Sequence, residues 1–253
     1  MSVADRQRPR PGELVVDHVA HFVADLDEAA AILQQLALKL TPLSVHQADG
    51  KPSGTSNRCL MFEQGYVEIL AGAAGRGLRL ACFGTPDAEA EQRRLAAHGF
   101  EPPPLVALSR KVKGGTARFK VVRSERMPEG RIQYCEHLTP QHVWKAGFIN
   151  RLKLTALYVV ADDPVATAAR WGRFAGLLPR PSREGVRLQT ARGAVIIGRG
   201  FPWATPPAPA LAGYGLSCRD PRAFLARCSK AGLKVKRNTV VLPAALGGAW
   251  VFS

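Results

Sequence analysis

The feature that most constrains this chain is a pattern that recurs four times along its 253 residues: an apolar strand, a capped helix, then short strands. A fold built from copies is misread if each copy is treated alone, so the repeat comes first. The first unit opens with the β-branched run Leu14 to Val23. Asp25 follows as a helix cap, with Glu28 three residues on and Ala29, Ile32, Leu33 and Leu36 on one helical face. Strands are expected around Leu40 to Val45, Arg58 to Phe62 and Tyr66 to Ala71, with a Gly/Ser/Pro loop from Asp49 to Asn57.

The second unit has a strand at Leu78 to Phe83, Thr85 as cap with Pro86 at the first helical position, and a helix stopping at Gly99. Its strands fall near Leu105 to Leu108, Ala117 to Val122 and Arg131 to His137. The third runs from a strand at Leu154 to Val160 through Asp163-Pro164 and a helix to strands at Val186 to Gln189 and Ala194 to Ile197. The fourth has a strand at Tyr214 to Cys218, Asp220-Pro221, a helix stopping at Gly232, and strands near Asn238 to Leu242 and Ala249 to Phe252. Phe201 to Pro209, with four prolines, reads as a rigid linker. The fold class is therefore α+β, with repeated βαβββ modules in two pairs: residues 14–145, then 146–253. Residues 1–13, polar and rich in Pro and Arg, read as a disordered lead-in.

The formal charge of +15, from 35 Lys and Arg against 20 Asp and Glu, raises the question of an anionic partner. The basic residues are spread out: Arg93 and Arg94 in a helix, Arg110, Lys111 and Lys113 in an expected loop, Lys234, Lys236 and Arg237 near the end. With no basic tail, no aromatic-interleaved basic helix and no zinc-finger spacing, the pattern argues against nucleic acid. Cys59, Cys82, Cys135, Cys218 and Cys228 are odd in number without a CxxC pair, and read as reduced core residues of a cytoplasmic protein. No apolar run approaches the ~18 residues of a membrane span.

The segment Asp17-His18-Val19-Ala20-His21-Phe22-Val23-Ala24-Asp25-Leu26 resembles the opening of a module of the glyoxalase-like, or vicinal oxygen chelate, superfamily. Gly54-Thr55-Ser56-Asn57-Arg58 and Gly65-Tyr66-Val67-Glu68-Ile69-Leu70 resemble its later strands, ending with their glutamate. The likeness covers Leu14 to about Thr139; beyond Leu154 it rests on the repeated pattern. It implies paired modules curved into a cup that holds a divalent metal (Zn, Mn, Ni or Fe), with ligands from the first and last strands of each module. Mapped here, the metal set is His18, Glu68 and Gln133. The fourth position falls on Leu78, Arg79 or Leu80 depending on register, and none of these is a ligand.

Strand period assigns faces. His18 shares a face with Ala20 and Phe22, and His21 lies with Val19 and Val23 on the expected helix-covered side, so the two histidines cannot both be ligands. Glu68 can face the cup with Tyr66 and Leu70, and Arg131, Gln133, Cys135 and His137 form one face of their strand. Read blandly, His18 is a hydrogen-bonded core histidine, Gln133 satisfies backbone groups and His137 is exposed near a strand end. Glu68 in an apolar strand favours function, as metal ligand or general base. Arg58, Tyr66, Arg79 and His137 are the candidates for binding substrate; an inward Arg79 would pair with Glu68 or clamp an anion. The second pair carries Thr155 at the place of His18 and only apolar residues at that of Glu68, which makes it structural.

Together these readings point to a metal-assisted lyase, isomerase or dioxygenase acting on a small, oxygen-rich, anionic metabolite. The alternative is a non-catalytic, drug-sequestering binder of the same fold. Both are compatible with a homodimer.

Overall fold

A computed structural model describes residues 2–124, 127–203 and 206–253. The first unit comprises β1 (Val15–Phe22), β2 (Ser44–Ala48), β3 (Lys51–Gln64) and β4 (Tyr66–Ala71), preceded by helix α1 (Val3–Gln7), with α2 (Leu26–Gln34) after β1. The second comprises β5 (Gly77–Gly84), α3 (Ala88–Ala97), β6 (Val106–Val112), β7 (Gly115–Arg123) and β8 (Arg131–His137). The third is β9 (Ile149–Val160), α4 (Pro164–Ala175), β10 (Arg180–Ser182), β11 (Gly185–Gln189) and β12 (Ala194–Gly198). The fourth is β13 (Ala210–Cys218), α5 (Pro221–Lys230), β14 (Lys234–Lys236), β15 (Thr239–Val241) and β16 (Ala249–Phe252). All four modules expected from the repeat are present.

Among the described residues the first two modules close an eight-stranded barrel in the order β4-β1-β5-β8-β7-β6-β2-β3, with β3 returning to β4. The last two form an open sheet, β10-β11-β12-β9-β13-β16-β15-β14. The halves join where the end of β3 runs parallel to the start of β9, Met61 opposite Ile149. Between them lies one apolar core: Val19, Ala81, Phe83 and Tyr134 from outside the barrel meet Leu157, Trp171, Phe174, Tyr214 and Trp250. The face of β1 expected to be covered by helices thus meets the second pair.

Local details differ from the sequence reading for identifiable reasons. Asp87, not Thr85, caps α3, because its side chain accepts from the Ala90 amide while Thr85 is spent on Asp87 itself. The expected loop Asp49 to Asn57 is mostly strand: β2 and β3 pair as a hairpin whose turn uses Asp49 and Gly50 at positive φ. Arg110 and Lys111 belong to β6, not a loop. The lead-in is not disordered over Val3–Gln7. Ser2 caps a short helix there, and Gln7, buried, donates to the Glu63 carbonyl at 2.7 Å and accepts from the Gly65 amide at 3.0 Å. Ala4, Val143 and Trp144 pack into the apolar cluster inside the barrel.

In the second pair Asp163 caps α4, so Ala156, opposite Ala194, takes the place of His18, rather than Thr155. Ile196 stands where Glu68 would. Part of the proline-rich linker, Ala204 and Thr205, lies outside the described residues. Its Phe201 and Trp203 stack on each other at 5.1 Å and pack edge-on against Tyr158, covering the apolar inner face of this sheet.

His21 ties the halves together. Its Nε2 lies 3.0 Å from the Tyr214 hydroxyl and its Nδ1 2.8 Å from the Leu246 carbonyl, while Trp250 Nε1 donates to Tyr214 at 2.5 Å. The set is satisfied when the ring is neutral, with Nδ1 donating and Nε2 accepting. Burial lowers the His21 pKa to about 4, only partly offset by the Leu246 carbonyl. Unfolded, the ring would titrate near 6.5. As pH falls through that window the unfolded state takes up the extra proton, so stability drops. Between pH 7 and 4.5 this group should remove roughly 2–3 kcal/mol. Urea unfolding of the native chain and of His21→Gln at both pH values should show the variant losing that much less; equal losses would refute the assignment.

Candidate functional site: a polar cavity inside the barrel

The barrel encloses a cavity of about 320 Å³. It opens past Ser53, Gly72, Ala74 and Arg131, all exposed. Strand alternation delivers its chemistry. Even positions of β1 and β4 supply His18, Tyr66 and Glu68, and odd positions of β8 supply Arg131, Gln133 and Cys135. β2 and β6 add His46 and Arg110, and β7 adds Arg123.

Register settles the place left open in the sequence. His18 lies opposite Tyr66 and Ala20 opposite Glu68 in the β1–β4 ladder. In β5–β8 the matching pairs are Leu80 with Arg131 and Cys82 with Gln133. Leu80 therefore occupies the second-module counterpart of His18, and Gln133 that of Glu68.

Glu68 is buried, and its Oε1 accepts from Asn57 Nδ2 at 2.5 Å and lies 3.5 Å from His46 Nε2. Asn57 also accepts, through Oδ1, from Arg110 Nη1 at 2.9 Å, so one amide bridges carboxylate and guanidinium. Burial pushes the Glu68 carboxyl up, but the charges of His46, His18 and Arg110 and the Asn57 bond outweigh it, leaving it below the usual glutamate value and ionised at neutral pH. Burial likewise lowers His46, against the opposing pull of Glu68. Arg110 would lose basicity through burial, but Cys59, Tyr66 and Glu68 raise it, and it stays charged. Among the described residues the cavity is thus lined by three arginines, Arg110, Arg123 and Arg131, against one carboxylate. It favours an anion.

A second polar cluster adjoins it. A register shift between Val16 and His18 in β1 brings Asp17 and His18 together, 2.7 Å from Oδ2 to Nδ1. The same oxygen lies 3.0 Å from His137 Nε2. Gly84 makes room: a Cβ there would stand 3.3 Å from the Asp17 Cβ and 2.9 Å from Val15. Burial disfavours ionised Asp17, but His137 and His18 hold it well below the carboxylate range. Burial lowers His137, yet Asp17 and Cys135 raise it to about 10, so it is an imidazolium.

Of the residues proposed from sequence, His18, Tyr66, Glu68 and Gln133 line the cavity, with His18 stacked on Tyr66 at 4.4 Å. Arg58 turns outward to Asp27 on α2, at 3.3 Å. Arg79 is exposed on β5, pointing away from the interior that Leu80 faces. His137 is buried behind the wall on Asp17 rather than exposed. Sequence reading missed His46, Asn57, Arg110 and Arg123. The alternation Leu108, Arg110, Val112 was the available signal for Arg110, hidden because its segment read as a loop.

The chain belongs to the glyoxalase-like domain family, whose model matches residues 16–175. That match places it in the vicinal oxygen chelate superfamily, and solved structures agree. A hypothetical protein from Staphylococcus aureus is 13% identical, with 95% of this chain and 99% of that one covered at a TM-score of 0.69. The Mn(II)-bound glyoxalase from Novosphingobium aromaticivorans is 10% identical, covering 94% and 81% at 0.60. A catechol 2,3-dioxygenase is 12% identical, covering 94% and 91% at 0.55. At these identities they show the shared fold. No curated protein sequence matches the chain.

A divalent metal is compatible with this fold. The superfamily's positions here supply His18 and Glu68 as strong donors, Gln133 as a neutral one and Leu80 as none, one strong donor short of the three usual at catalytic zinc. Glu68 Oε1 is already engaged, and Arg110 would oppose a cation beside it. This set does not fit a resident ion.

Asn57 holds the charged pair of the cavity. Asn57→Ala should leave Glu68 and Arg110 short of buried partners and cost about 1–3 kcal/mol, more than an exposed asparagine would. Urea denaturation measures it, and a loss below about 0.5 kcal/mol would show that water substitutes for the amide.

Proposed function

We propose that the protein is a glyoxalase-like enzyme that binds a small, oxygen-rich, anionic metabolite in the barrel cavity and moves a proton at a carbon next to a carbonyl. The observation that carries the reading is an ionised, buried glutamate facing a cavity to which, among the described residues, three arginines and no other carboxylate contribute. Arg123 and Arg131, nearer the mouth, would take the ligand's carboxylate or phosphate. Arg110 would face the oxygen on which charge develops, where a fixed guanidinium stabilises an enolate without reorganising. Glu68 would accept the proton, while His18, its Nδ1 side held by Asp17, would present Nε2 as hydrogen-bond partner. A carboxylate of lowered pKa is a weak base, so the abstracted proton must be acidified by Arg110. No step here needs a metal at His18, Glu68 and Gln133.

A second reading, a binder without chemistry, is favoured by the incomplete superfamily ligand set and by the engagement of Glu68 with Asn57. One set of variants separates the two. Small oxo-acids and phosphorylated hydroxy-carbonyl compounds should raise the melting temperature of the native chain, less so at high salt and in Arg123→Met. For any compound turned over, Glu68→Gln should lower kcat by roughly 10²–10⁴-fold while leaving binding within about tenfold. Saturable binding with no turnover across the panel would favour the binder; no stabilisation by any anion would sink both.

A further inference from the structure

The donors that the superfamily positions lack are concentrated one step away, on the β1–β5–β8 side of the barrel. A carboxylate oxygen of Asp17, a ring nitrogen of His18 and Cys82 Sγ all lie within 4.8 Å of one another, and all three residues are buried. The backbone makes this grouping: His18 is directly opposite Cys82 in the antiparallel β1–β5 ladder, and the register shift before His18 turns Asp17 to the same side. Cys135, on β8, is buried and lines the cavity beside them. His137, 3.0 Å from Asp17, keeps a buried Nδ1 with no partner. Carboxylate, imidazole and thiol together are not a hydrophobic barrel wall.

We propose that this cluster is a metal site that shares His18 with the superfamily's positions but takes its other protein donors from Asp17 and Cys82, and that it binds a borderline-soft divalent ion such as Zn²⁺ with the fourth position left to solvent or ligand. Sulfur and imidazole donors select zinc or cobalt over magnesium or calcium. Bonds of about 2.0 Å to N and O and 2.3 Å to S place tetrahedral ligands roughly 3.3–3.7 Å apart, so side-chain shifts of about 1 Å close the observed group. Uptake replaces the Cys82 thiol proton, which leaves to solvent. The Cys82 thiolate and the Asp17 carboxylate then carry two negative charges against the ion's two positive ones. His137 would be the outer partner that orients the ligating carboxylate. The path of entry is the cavity, since His18 and Cys135 line it. The site does not depend on the acid–base role proposed for Glu68.

The test is Co²⁺ titration of the full chain after chelator treatment. The native protein should take up cobalt stoichiometrically, with thiolate-to-cobalt charge-transfer absorption and the strong visible bands of a tetrahedral centre. Cys82→Ser should weaken uptake by more than the roughly 10–100-fold that follows loss of an outer-shell partner, and reduce the charge-transfer band. Glu68→Gln should bind as the native chain does. Unchanged binding in Cys82→Ser, or loss of binding in Glu68→Gln, would overturn the assignment. Should Cys82→Ser fail to fold, X-ray absorption at the zinc edge of the loaded native protein decides instead. Sulfur in the first shell supports the site; a shell of nitrogen and oxygen alone, or no stoichiometric uptake, refutes it.

Discussion

The structure depends on closing a sheet. β3 pairs with β4 from Ser56 opposite Ala71 to Met61 opposite Tyr66, and that ladder converts eight strands into a barrel. Closure removes the free edges of the first pair and makes an interior into which every second side chain must point. Polar residues on the inner face, costly in a filled core, are tolerated because they face a cavity and one another. The Glu68–Asn57–Arg110 bridge shows how: carboxylate and guanidinium are each partnered through a single amide. The second pair lacks this closure. Among the described residues its inner face is apolar and covered by Phe201 and Trp203.

The second pair instead covers the outside of the barrel. β1 and β5 carry the site on their inner faces, and outward they present Val19, Ala81 and Phe83, which would otherwise meet water. Packing these against Tyr214, Trp250 and Trp171, with His21 bridging polar groups on both sides, fixes the strands that carry His18 and Cys82. Among the described residues no helix is long and apolar enough to cross a membrane.

The cavity carries opposite signs in different places. Arginines at the mouth and Arg110 within it favour an anion, whereas the Asp17–His18–Cys82 group behind it is a cluster of donors suited to a cation. The two are kept apart because His137 lies against Asp17, while Arg110 is held on Asn57 and Cys59 beside Glu68. Low dielectric strengthens each of these contacts and makes every unpaired group expensive.

The amino-acid sequence by itself determined the modules, because hydrophobic period, caps and glycine stops are local signals. Asp25, Asp163 and Asp220 cap their helices where the repeat placed them, and alternation put His18, Tyr66, Glu68 and Gln133 on inner faces. Asp87 displaced Thr85 because two adjacent residue types can both cap. Other choices were not local. Which of Leu78, Arg79 or Leu80 matches His18 depends on register between strands, and the ladder chose Leu80. Arg110 and His46 entered the site because β6 and β2 pair across the barrel, His46 opposite Arg110, a contact between residues 64 positions apart in a stretch that looked like loop and strand end. Asp17 met His18 and Cys82 through a one-residue shift in β1, which strict alternation forbids and only the paired strand reveals. Period fixes which face a residue can take; pairing and register fix what it meets there.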